Sequence, residues 1–137
     1  MSAPATPPAR PARSAELTLA QAILALEALA ALFATSLLAG FAKTGDVDLP
    51  SGAIWGGGFA LTAIVFAGAG LQGRPWGRAF GWVLQVPMLA AGLVSPAIGV
   101  VGAMFVVLWF SALRLGGRID RERAAYHASM RDDGGGT

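Results

Sequence analysis

From Ala79 to Leu113 the chain carries no charged residue. Between Leu17 and that run the charges are Glu27, Lys43, Asp46, Asp48, Arg74 and Arg78 alone. A soluble domain spreads its charges, at about a quarter of all residues, whereas a bilayer span needs about 20 residues nearly free of them. Here 13% of the 137 residues are charged and 55% are hydrophobic, with a mean hydropathy of +0.59. The pattern predicts an all-α integral membrane bundle, with apolar spans joined by short polar loops.

Four spans are expected, at about 17–41, 52–71, 76–94 and 97–115. The first exceeds the 7–15 apolar residues of a signal peptide, and more spans follow it, so it reads as a retained helix. Residues 1–15 are Pro- and Ala-rich and are expected to be disordered. Residues 116–137 read as a polar cytoplasmic tail ending in a flexible glycine run; Ile119, Tyr126 and Met130 are compatible with a thin apolar stripe on a short surface helix, but a solvated tail is the favoured reading. The third span is the weakest, because it holds Gln85 and Pro87, and Pro87 is expected to kink it.

Basic residues orient such a chain. The segments before span one, between spans two and three, and after span four hold nine of the ten basic residues, leaving Lys43 alone on the other side. Both termini are therefore expected in the cytoplasm, with the bundle in a bacterial cell membrane. The excess of basic residues is absorbed by these flanks, so the positive charge does not point to nucleic acid. Anionic headgroups are the expected surroundings. The chain has no cysteine, which excludes disulfides and thiolate sites. Its single histidine, His127, sits in the polar tail and is expected to be solvated.

The stretch Gly73–Gln85, "GRPWGRAFGWVLQ", concentrates arginine and tryptophan at the start of span three. Pro75 suits a first helical turn, where a missing N–H costs nothing. Trp76 and Trp82 are suited to the headgroup level, and Arg74 and Arg78 can lay their stems in apolar surroundings with the charge outside. Arg114 and Arg118 do the same after span four, in a cluster with Arg121 and Arg123 that Asp120 and Glu122 dilute. Arg74, Trp76, Arg78, Arg114 and Arg118 are thus the candidate interface and lipid anchors. "RPWGRAFGWVLQ" and the run "SPAIGVVGAMFVVLWFSALRLGGRID" resemble the small actinobacterial four-helix membrane proteins grouped as domain of unknown function 4233. The resemblance covers roughly residues 16–123. It implies a multi-pass membrane protein and brings no assigned activity or functional residue.

Glu27 stands ten residues into the first span, about 15 Å deep in a core about 30 Å thick. An acid there costs about 2.5–3.5 kcal/mol on an insertion scale, while each Leu, Ile or Phe contributes about 0.3–0.6 kcal/mol. The span holds enough of them to insert, but the acid should face the bundle rather than lipid. Small residues share its face at Ala30, Ala31 and Ala34, as do Gly58, Thr62 and Ala69 on span two, and Gly77, Gly81, Gln85 and Gly92 on span three. Glu27, Thr62 and Gln85 fall at similar depth, about 13–15 Å, and form the candidate intramembrane polar site. No Lys, Arg or His lies at that level to pair with the acid. Gly52 and Gly56 form a GxxxG spacing compatible with oligomer contacts or with internal packing.

No nucleophile with a base, paired carboxylates, phosphate loop or metal-ligand cluster stands out, so neither an enzyme nor a cofactor is expected. Two functions remain open. One is a non-enzymatic interaction or assembly subunit, pairing with itself or with another membrane protein. The other is a small proton-coupled transporter acting as an oligomer, with Glu27 as its proton site. Four short spans with one acid in the first are similar to the small multidrug-resistance exporters in architecture alone.

Overall fold

The structure, a computed structural model, describes residues 13–134, with side chains through Arg131. Four α-helices follow in order: α1 (Ala15–Thr44), α2 (Ser51–Leu71), α3 (Gly77–Ala90) and α4 (Pro96–Gly134). A 3-10 turn (Ala91–Leu93) extends α3. Three of them, α1, α2 and α4, are long and apolar enough to cross a membrane. α3 runs as regular helix through Pro87, which removes one hydrogen bond from its ladder, and tightens into the 3-10 turn after Ala90. At about 1.5 Å per residue its regular part is about 21 Å long, shorter than a hydrocarbon core of about 30 Å.

Several boundaries depart from those expected. α1 begins at Ala15 rather than Leu17, because Ser14 caps it, its Oγ accepting the Leu17 N–H at 3.3 Å. Residues 14 and 15 are therefore ordered, while the rest of the expected disorder, up to residue 12, lies outside the described residues. Pro75 is not in a first helical turn; it sits in the tight turn before Gly77. Gln72 holds that turn, its Nε2 donating to the carbonyls of Gly68 and Gly77. The largest departure is at the other terminus. Residues 116–134 continue α4 as helix, and 121–131 are exposed along it, so the solvated polar segment exists as a projecting rod. The stripe of Ile119, Tyr126 and Met130 lies on this rod. The glycine run after Gly134 lies outside the described residues.

The start of α1 and the C-terminal part of α4 lie at one end of the bundle, here the terminal end. The α1–α2 loop and the α3–α4 turn at Ser95 form the opposite, loop end. The helices close on one another through small residues. A Cβ on Gly58 would occupy the Thr35 side chain, one on Gly68 would strike Leu84, and one on Gly81 would lie inside the Trp109 ring. At the loop end Gly92 and Gly99 meet backbone to backbone, each standing where the other's Cβ would go. The packed interior joins Ala20, Leu24, Ala28, Val65, Ala69, Leu84 and Trp109. Outside it, large apolar side chains such as Phe33, Phe59, Phe66, Val86, Leu93 and Val107 are exposed. In water so much exposed apolar surface would be a liability; facing acyl chains it is the ordinary exterior.

Candidate functional site

Glu27 is 0% exposed. Successive buried positions on α1 are Ala20, Leu24, Glu27, Ala28, Ala31, Thr35 and Ala39, so the acid lies on the interior stripe with the small residues expected beside it. Across the bundle, Gln85 is buried on α3 and its Nε2 donates to Glu27 Oε2 at 2.9 Å. The small Gly81, one turn earlier on the same face, lets α4 approach and seat Trp109. Thr62 sits part-buried on α2. Its hydroxyl makes no hydrogen bond to Glu27 or Gln85 among the described residues. The structure thus brings two of the three predicted residues into contact and leaves the third on its own.

Each helix buries one polar atom without a partner among the described residues: Glu27 Oε1, Thr62 Oγ1, Gln85 Oε1 and Trp109 Nε1. Two of these, Glu27 Oε1 and Gln85 Oε1, belong to the hydrogen-bonded pair. A carboxyl O–H is the donor that would satisfy an amide oxygen in such a pair, since carboxylic acid and amide can close a ring of two hydrogen bonds. Trp109 is the member that sequence reasoning missed. A tryptophan near a span end reads as an interface anchor, and burial of this one depends on Gly81 of another helix. The pairing of Gly81 with a large residue on the following helix leaves no local periodic signal.

At the terminal end a second polar group ties the first helix to the last. Asp120 accepts from Ser14 Oγ at 2.5 Å, from the Ala15 N–H at 2.7 Å and from the Glu16 N–H at 3.1 Å. Its carboxylate thus satisfies donors that the start of a helix leaves free, where the helix dipole also favours negative charge. The Ser14 hydroxyl, then the two N–H groups, and last the Arg123 charge hold the Asp120 carboxyl below its usual range. Glu16 makes an ion pair with Arg78 of α3. Gly116 allows this approach, because a Cβ there would run into the Glu16 backbone.

The sequence-predicted anchors divide around this group. Arg74 lies 6.0 Å over the Trp76 ring, which meets Phe80 edge-on at 5.7 Å, on the exposed α2–α3 turn. Arg78 is bound to Glu16. Arg114 lies 5.7 Å over the Phe110 ring, and Arg118 pairs with Glu122 along the projecting part of α4, Nε to Oε1 at 2.7 Å. Two clefts, each of about 420 Å³, flank the Glu16–Arg78 pair. One opens toward the α2–α3 turn and the other lies between α3 and α4.

A family model described as protein of unknown function (DUF4233) matches residues 18–125. The chain belongs to this family. The DUF4233 match takes in most of α1, all of α2 and α3, and α4 beyond Asp120, so it contains the Glu27–Gln85 pair, Trp109 and the basic residues of both clefts. Ser14 and Glu16, the α1 side of the terminal-end ties, precede it. The family resemblance read from "RPWGRAFGWVLQ" and the run after it is thus correct. No curated protein and no solved structure matches the chain.

Proposed function

We propose that the protein is a non-enzymatic assembly subunit of a bacterial cell membrane, with both termini in the cytoplasm, that pairs laterally with a second copy of itself through α2. The observation that carries this reading is the outward face of α2. Gly52, Gly56, Ala60, Ala63, Ala67 and Gly70 follow one another at spacings of three and four, and all are exposed. Nothing lies within 4 Å of the place a Cβ would take on Gly52, Gly56 or Gly70. Membrane helices associate where small residues let their backbones approach, since lipid offers no hydrophobic drive between them.

The absence of cysteine makes the test clean. Ala60→Cys should give a disulfide-linked dimer on mild oxidation in membranes, and Gly56→Leu in the same chain should abolish it. A cross-link that survives Gly56→Leu, or none at all, defeats the α2 interface.

The proton-coupled transporter remains a second reading, favoured by the buried oxygens left over on Glu27 and Gln85. It requires that vesicles loaded with the protein move protons or a coupled solute down an imposed pH gradient, and that Glu27→Gln stop them. Inert vesicles would leave the pair a helix-to-helix bond only, worth about 0.6–2 kcal/mol.

A further inference from the structure

The cleft between α3 and α4 combines an apolar half with a basic half. On α4, Phe110, Leu113, Arg114, Gly117 and Arg121 line it at spacings of three and four, Arg78 and Trp82 face them from α3, and Glu16 of α1 closes its edge. Trp82, Phe110 and Leu113 are the membrane-side portion. Arg114 and Arg121 lie toward the end of the bundle, seven residues or about 10 Å apart along the helix. Gly117 stands between them with no side chain to fill the floor. A Cβ there would come within 3.3 Å of Glu16 Oε2 and 3.5 Å of Arg121 Nη1, so both charged groups reach over this gap.

The charges in the cleft do not cancel. Arg78 is answered by Glu16, and Asp120, next to Arg121 in the chain, is occupied by the start of α1. Arg114 and Arg121 form no ion pair among the described residues. The Glu16 carboxylate at the edge of the cleft is taken up by Arg78, and two guanidinium groups left without an ion pair fit phosphate oxygens, which accept their N–H forks two at a time.

We propose that this cleft seats one anionic phospholipid, its phosphate held by Arg114 and Arg121 and an acyl chain laid along Trp82 and Phe110. The apolar half selects a lipid over a free phosphate. It leads onto the exposed faces of Val86 on α3 and Val107 on α4, where acyl chains continue into the bilayer and a soluble anion would gain nothing. Arg114, already stacked on Phe110, stands at the boundary of the two halves. The seat rests on the helices lying in a bilayer, and it is independent of any partner on α2.

The test is native mass spectrometry of the full chain in neutral detergent, with phosphatidylglycerol or phosphatidylcholine added in turn. One phosphatidylglycerol should be retained at least tenfold more tightly than phosphatidylcholine, and millimolar glycerol 3-phosphate should not displace it. Arg114→Gln with Arg121→Gln should lower that retention at least tenfold, whereas Arg123→Gln, two residues from Arg121 and outside the cleft, should not. Gly117→Leu keeps every charge and fills the floor, and it should lose the lipid as well. Equal retention of phosphatidylcholine, displacement by glycerol 3-phosphate, equal loss in Arg123→Gln, or full retention in Gly117→Leu would each overturn the seat.

Discussion

The two faces of α2 use the same residue for opposite ends. On the inner face, Gly58 and Gly68 are spaces already filled by Thr35 and Leu84 of neighbouring helices. On the outer face, Gly52, Gly56 and Gly70 are spaces that nothing fills. A glycine pattern by itself therefore does not separate internal packing from an external interface. The separation comes from which side chains the other helices aim at the gaps, and that is a property of the bundle. The GxxxG spacing of Gly52 and Gly56 lies wholly on the open face, where no neighbouring helix packs against it.

The contrast is broken most severely where a filled gap is forced open. Gly81→Leu places a side chain within the Trp109 ring, and overpacking of this kind should cost about 3 kcal/mol or more, read as lost helicity in a denaturing-detergent titration. A stable Gly81→Leu protein would show that the two helices can part at no cost. Next in size is the polar bond on the same interior surface. A double-mutant cycle of Glu27→Ala and Gln85→Ala should report a coupling of about 0.6–2 kcal/mol. A coupling near zero would leave the inner surface held by small-residue packing alone.

Moving to the terminal end, Ser14→Ala removes the α1 cap and should destabilise by about 1 kcal/mol. Asp120 gives that end a pH dependence of definite sign. Its native carboxyl titrates below the usual value, so its contribution is complete above the ordinary carboxylate range near pH ~4 and fades as pH falls through the lowered native value. Asp120→Asn should remove this acid-side slope from a melting-temperature profile while leaving the neutral-pH fold intact. The smallest effect belongs to the outer face. Gly56→Leu should leave monomer stability within about 0.5 kcal/mol of wild type and act on assembly alone. A large loss of monomer stability would mean the outer gap is filled after all.

All four helices were legible, because the apolar runs from Leu17, from Gly52 and up to Leu113 are long and bounded by charge or proline, and Pro96 divides the last run in two. The Glu27–Gln85 pairing was legible too, from depth and shared small-residue faces, although the two are far apart in sequence. Thr62 satisfied the same counting and makes no bond to either, since equal depth places a residue in a layer without turning its side chain toward a partner. The full helical course of residues 116–134 was not legible, because the stripe of Ile119, Tyr126 and Met130 is too thin to announce a helix, and here the helix is continued from α4 and pinned by Asp120. That pin joins residues more than a hundred positions apart, with nothing local to reveal it.

The buried pair also has a history. Glu27 enters the membrane with α1, and its partner lies 58 residues later in the chain. At synthesis rates of about 5–20 residues per second, Gln85 follows about 3–12 seconds behind. For that interval the first helix holds an acid whose answering amide has not yet been made. Whatever shelters Glu27 then, whether retention beside the insertion machinery or a water-filled vestibule, is a demand that the finished bundle no longer displays.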